Sequence, residues 1–363
     1  MEGTAMAQGH VYAGVVRWPG GGSMAAPPDT LGGVFRLAVG SSEWQHMTRG
    51  LPDEVHVPCI TVDPHDGTRI YAGTQEGPYV STDSGATWQR LGFPRSDLQV
   101  WSIAVHPRDA RTLYVGTSPL GVFVSRDGGA TFKPTRGVEL ADVADMRGFR
   151  NRVMRFAFNP ANPDEIFAAL EVRGVIRSLD GGESWQDCSA DLMKLAEQEH
   201  LKSAIITTHT AEGMLDVHAI AISPAAPEVP LVALRMGLFR SEDHGAHWVD
   251  YEMRKRTPIF YGRDIRVSPH DPNTLYATMS TAANGATGTV WRSTDLGRNW
   301  ARFDSPTRAE STMMAACPSP SDRRVVYAAA RKGQVFGTLD EGATWQEVPL
   351  PKGCTGVMAL AVS

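Results

Sequence analysis

Acids, bases and cations recur at matched places along this chain. Arg155, His218, Arg263 and Asp264 each lie a few residues ahead of a proline-containing turn, and His56 lies slightly earlier in its own copy. A second set follows the next apolar segment. It comprises Glu76 in TQEGPYVS, Glu171 and Arg173 in LEVRGVIRS, Arg235 in LRMGLFRS, and Arg331 with Lys332 in ARKGQVFG. Tyr261 and His209 sit on adjoining links. A carboxylate beside a histidine equips a site for general acid–base catalysis, and arginines clamp anions through paired hydrogen bonds. Glu171, His218 and Glu76 are therefore the catalytic candidates. Arg155, Arg235, Arg263, Arg173, Tyr261, Asp264 and His209 are the candidates for holding substrate. His56, His218 and Glu171 have donor types suited to a divalent metal ion. No local spacing such as HExxH supports a metal.

Such scattered residues need a scaffold that converges them, and the repeats supply one. The phrase STDSGATW (81–88) returns as SRDGGATF, SLDGGESW, SEDHGAHW, STDLGRNW and TLDEGATW. Its aspartates, Asp83, Asp127, Asp180, Asp243, Asp295 and Asp340, are separated by 44, 53, 63, 52 and 45 residues. An apolar segment, a proline turn and a second apolar segment precede each phrase, as in VWSIAVHPRDARTLYVGT (100–117). This reads as strand, turn, strand. A third strand leads into the phrase and a fourth leaves it, which makes a propeller blade. A degenerate seventh copy ends in Trp44, 44 residues before Trp88. Its second strand is GHVYAGVV (9–16), and its missing first strand is GVMALAVS (356–363). The expectation is an all-β, seven-bladed propeller of four-stranded blades, one domain over residues 1–363. The C-terminal strand would pair with the N-terminal segment and remove the exposed sheet edge.

Within the phrase, the aspartate suits a turn in which it accepts backbone N–H bonds. The glycine supplies a positive φ, and the tryptophan is an apolar plate for packing. At these residues the chain resembles the Asp-box, or bacterial neuraminidase repeat, propellers, over nearly its whole length. That superfamily includes sialidases, xyloglucan-cleaving hydrolases, a photosystem II assembly factor and sorting-receptor ectodomains, so the resemblance implies a fold and leaves function open. Sialidase catalytic domains have six blades and an aromatic-Arg-Ile-Pro motif. The nearest match here is VRWP (16–19), so sialidase activity itself is not expected.

Short turns such as DPHDGTR and HPRDART fall at the blade end that carries the repeated phrase. The long connections, including 17–32, 136–152, 187–216, 253–262 and 280–289, fall at the other end. Function concentrates in loops held by a rigid scaffold, so the elaborated face is the expected working face. Residues 189–203 read as a helical insert, with Ser189 as cap and Asp191 in the first turn, and a lid over the channel is one reading of it.

Forty acidic residues against 35 Lys and Arg give a net charge of −5, which argues against nucleic acid as a partner. No apolar run reaches the length of a membrane span. Cys59, Cys188, Cys317 and Cys354 show no CxxC spacing, and the N-terminus carries no recognisable secretory signal. A cytoplasmic protein with free thiols is expected. The reading that follows is a hydrolase acting on a small polar or anionic substrate, a glycoside or a lactone, in the central funnel. No cofactor is required beyond the divalent ion that a lactonase-like reading would add. The alternative is a non-catalytic scaffold for a protein or carbohydrate partner.

Overall fold

The computed structural model of the protein describes residues 9–17, 29–138, 151–201, 215–305 and 307–363. Seven four-stranded antiparallel sheets form a ring, a β-propeller. The innermost strands of blades two to seven are Cys59–Asp63, Gln99–His106, Arg152–Phe158, Val217–Ser223, Tyr261–Val267 and Met313–Pro318. Blade one closes the ring. Its innermost strand is the C-terminal Val357–Val362, paired with the first strand His10–Val15 through Val11↔Val362 to Val15↔Val357. The last strand of the chain thus completes the first sheet, as the repeat pattern requires.

The core is divided among the seven junctions between neighbouring blades, each holding its own apolar cluster. The aromatic residue of the repeated phrase fills these junctions. Trp88, Phe132, Trp185, Trp248 and Trp300 are buried there, and Trp44 and Trp345 pack against the edge of their clusters. The aspartate is the knot of the turn. Asp83 Oδ1 accepts the Thr87 N–H at 2.8 Å and the Ser81 hydroxyl at 2.7 Å, while Oδ2 accepts the Thr87 hydroxyl at 2.7 Å. His247 and Asn299 replace the usual Thr or Ser and keep the bond, donating to Asp243 at 2.6 Å and to Asp295 at 2.7 Å. The two residues after each aspartate have left-handed backbone, such as Ser84 (φ 57°) and Gly85 (φ 88°), and a glycine occupies the second place in all six turns. Each turn also bonds to the turn between the first two strands of its blade, as in Ser84 N–H to Thr68 O at 2.9 Å. Both kinds of turn therefore share one end of the propeller, and the long connections share the other.

The helix in the insert spans Ala190–Ala196, followed by a 3-10 turn at Glu199–Leu201. Ser189 heads it without capping it. Its hydroxyl instead accepts the Val175 N–H at 2.9 Å and lies 2.9 Å from the Arg173 carbonyl, because that strand edge is nearer than the helix's own N–H groups. Asp191 accepts the Trp248 N–H at 2.8 Å, and Leu192, Ala196 and Leu201 are buried in the cluster between blades four and five.

Candidate functional site

The innermost strands carry a feature that sets the geometry of the axis. In six blades the register with the second strand shifts, and one extra residue is squeezed out: Trp101, Met154, His218, Arg263, Met314 or Met358. A bulge of this kind re-aims a side chain, here toward the axis. These residues and Pro58 line the central channel and form a collar around it. Five of the seven collar members are apolar or aromatic; His218 and Arg263 are the polar pair. Below the collar the channel, about 950 Å³, runs to the short proline turns at the end bearing the repeated phrase.

The collar position is legible afterwards in the sequence. Pro58, Trp101, Met154, His218, Arg263 and Met314 each precede a turn proline by six residues. Two residues earlier stand His56, Gln99, Arg152, Asp216, Tyr261 and Thr312, every one polar. Of this upper ring, His56 and Tyr261 stand out from the sequence alone, whereas Gln99, Arg152, Asp216 and Thr312 do not; Asp216 and Arg152 are the charged pair among these. From the sequence, Arg155, His218, Arg263 and Asp264 all stand at or near the starts of inner strands, without a division into layers. The register divides them: Met154 is the counterpart of His218 and Arg263, and Arg155 shares the next layer down with Asp264.

Around the mouth the upper ring, the collar and the ends of the second strands meet. Arg152 Nε lies 2.8 Å from Glu171 Oε2, and the Arg152 guanidinium stacks 3.9 Å from the Trp101 ring centroid. His218 Nδ1 is 2.7 Å from the Gly262 carbonyl, and Nε2 is 2.9 Å from the Tyr261 hydroxyl. A carbonyl can only accept, so Nδ1 carries the proton. Nε2 therefore accepts from Tyr261. Burial and the neighbouring Arg263 hold His218 well below the usual imidazole range, so it is neutral at pH 7. Burial pushes the Tyr261 phenol up.

Asp216 is the most perturbed acid at the mouth. Burial first, and then the nearby Glu171 carboxylate, push its carboxyl up to about 7, against the opposing pull of Arg235 and Arg263. Its Oδ1 is shielded from solvent and has no hydrogen-bond partner among the described residues. Arg331 completes the group. Burial and the Arg263 charge bring its guanidinium down to about 10, while one of its nitrogens donates to Asn284 at 2.7 Å.

The structure therefore brings Glu171, His218, Tyr261, Arg235 and Arg263 together and adds Asp216, Arg152 and Arg331. Others fall elsewhere. Glu76 is exposed, on the turn after Thr74, where its carbonyl accepts the Arg90 guanidinium. His56 lies between Arg17 and Glu54, lowered by burial and by Arg17. Arg173 lies in the turn between Ile166–Glu171 and Gly174–Ser178, bonded through its carbonyl to Ser189. His209 lies outside the described residues. Asp264 is 1 % exposed and serves as an internal anchor. It pairs with Arg155 from two blades away, with Arg266 at 2.9 Å, and with the Ala316 N–H at 3.2 Å. Burial would raise its carboxyl, but the two arginines hold it below the usual range. Among the described residues no group of three or more His, Cys, Asp or Glu side chains could hold a metal ion, so His56, His218 and Glu171 form no such site. Both nitrogens of His218 are already engaged.

The fold and the site define a seven-bladed propeller with a polar, arginine-rich mouth. Comparison with known proteins places it among similar folds. No family model matches the chain. The oligoxyloglucan-reducing end-specific xyloglucanase of Emericella nidulans is 24% identical over 201 residues, covering 49% of this chain and 24% of that one. The crystal structure of the GH74 xyloglucanase from Xanthomonas campestris superposes with a TM-score of 0.65 at 19% identity, over 95% of this chain and 55% of that one. A structure of YCF48 bound to D1 peptide superposes with a TM-score of 0.51 at 15% identity, over 82% of this chain and 83% of that one. The chain thus spans about a quarter of the curated xyloglucanase and about half of the crystallised one.

Proposed function

We propose that the protein is a hydrolase of the glycosidase type, acting at the polar mouth on a small carbohydrate-like substrate that bears a negative charge. The observation that carries this reading is the pair Glu171 and Asp216. Asp216 is pushed up to about 7, and its neighbour Glu171 is ion-paired with Arg152 at 2.8 Å, an arrangement that suits an acid next to a base. Asp216, with its carboxyl near 7, is the general acid that protonates the leaving oxygen. Glu171, ion-paired with Arg152, is the partner that acts as base or stabilises developing positive charge. Arg235, Arg263 and Arg331 leave the mouth with an excess of positive charge and favour an anionic substrate. Similarity to two xyloglucanases supports the glycosidase class, and the arginines distinguish the substrate from a neutral glycan.

A panel of chromogenic glycosides, with uronides and other acidic sugars included, tests this. Asp216→Asn is expected to lower kcat by 10²-fold or more, and Glu171→Gln to abolish turnover, with folding intact in both. Because Asp216 must be protonated to act, activity should fall as pH rises through about 7. Full activity in Asp216→Asn would sink the assignment.

A second reading rests on the likeness to YCF48, whose propeller is seen with a bound peptide. The same arginine-rich mouth would then take an acidic segment of a protein partner. Peptide binding that Arg235→Ala abolishes, with no turnover of any glycoside, would favour it.

A further inference from the structure

Arg263 is 6 % exposed, yet it makes no hydrogen bond and no ion pair with any described residue. Asp216 is within electrostatic reach of it but not within ion-pair distance. Buried cations are ordinarily paired, so a guanidinium enclosed this way and turned to a cavity marks a place for an anion. Its collar neighbours are of another kind. Met154, Met314, Met358 and Trp101 surround the same opening, and methionines adapt their shape to varied apolar ligands. Below them the wall is largely apolar, with the partly exposed Val62, Ala104, Ala221, Val267 and Ala359 along the channel. The charged groups on that wall have the same sign as Arg263 or are already satisfied. Arg155 gives one nitrogen to Asp264, and its side chain is 31% exposed. Arg266 is taken up by Asp264, Cys317 and the Leu360 carbonyl. Asp63, at the far end, accepts the His65 N–H and the Tyr71 hydroxyl.

We propose that the channel below the collar binds an amphipathic carboxylate, with its head on Arg263 and its apolar tail along the inner-strand wall. Charge complementarity selects the head, since Arg155 and Arg263 both present guanidinium donors to a space without a free carboxylate among the described residues. The volume, about 950 Å³, falls at the upper end of small-molecule sites. From the collar to the turn prolines is six residues of extended strand, ~20 Å, enough for a medium-length chain. The tail lies on the other side of the collar from Asp216 and Glu171, while the head shares Arg263 with the anion-binding mouth proposed above; binding itself requires no turnover.

Isothermal titration calorimetry of the whole chain with decanoate tests it, with acetate and 1-decanol as probes of head and tail alone. Decanoate is expected to bind, acetate not measurably, and decanol at least tenfold more weakly. Arg263→Met should weaken decanoate at least tenfold, and it leaves no partner unpaired. Ala221→Trp, which fills the channel, should abolish decanoate binding. Asp216→Asn should retain it, even where every glycosidase assay fails. Absence of decanoate binding to the wild type, or equal binding to Arg263→Met, would overturn the proposal.

Discussion

A single carboxylate organises each repeated turn, and its surroundings set how the protein meets acid. Hydrogen bonds from Thr87 hold Asp83 down to about 2; those from Thr131 and from His247 hold Asp127 and Asp243 at about 2 as well. A group whose carboxyl is lower in the folded state than in the unfolded chain, ~3.9, stabilises the fold above that value and stops doing so as pH falls through the folded one. Stability should therefore decline between about pH 4 and pH 2, in steps shared among six turns, and urea melts across that range would show it. Asp83→Ala should cost about 1 kcal/mol, since the lost bonds are near solvent, and should leave decanoate binding and turnover unchanged. Asp264 is different in kind. Its replacement by Ala strands Arg155 and Arg266 inside the channel, and a loss of about 3–5 kcal/mol in denaturant unfolding is expected. A change below 1 kcal/mol would mean that the anchor is ornamental.

At the scale of the element, the innermost strand decides where chemistry can occur. The alternation of apolar residues and the proline turns marked these strands in the sequence, and the expected blade boundaries follow from them. The bulge was not visible, because one extra residue in a strand leaves composition and hydropathy unchanged. Without it Arg155 and Arg263 could not be told apart by layer, and Asp216 went unnoticed, because it stands at the end of a long connection rather than inside a recognisable strand. Glu76 and Glu171 looked equivalent in sequence, since both close a second strand. The upper ring separates them, for Arg152 reaches Glu171 while no such partner among the described residues meets the exposed Glu76. The helical insert was readable from Leu192, Leu195 and Ala196. Leu192 is fully buried between blades four and five, so Leu192→Ala should cost about 2–5 kcal/mol by thermal or denaturant unfolding.

Across the whole molecule, closure and convergence are the same fact. Seven blades converge on one axis only if the ring closes, and the C-terminal strand closes it. Removal of residues 356–363 exposes the edge of His10–Val15 and opens one junction of the core. Such a truncation should lose cooperative unfolding and aggregate, as light scattering would report. The ring also explains why the repeated phrase lies far from the mouth. Its turns share the end of the short loops, so it holds the junctions while Asp216, Glu171, Tyr261 and the arginines gather at the opposite end.

The measurement that bears most directly on this assignment is a carbon-13 NMR titration of aspartate side-chain carboxyls, in the wild type and in Asp216→Asn. One resonance titrating near pH 7 and missing from the variant is expected, and it would establish a carboxyl at the mouth that is still protonated near neutral pH. If every aspartate titrated below pH 5, or if the resonance near 7 survived in Asp216→Asn, the acid assigned to this site would be contradicted.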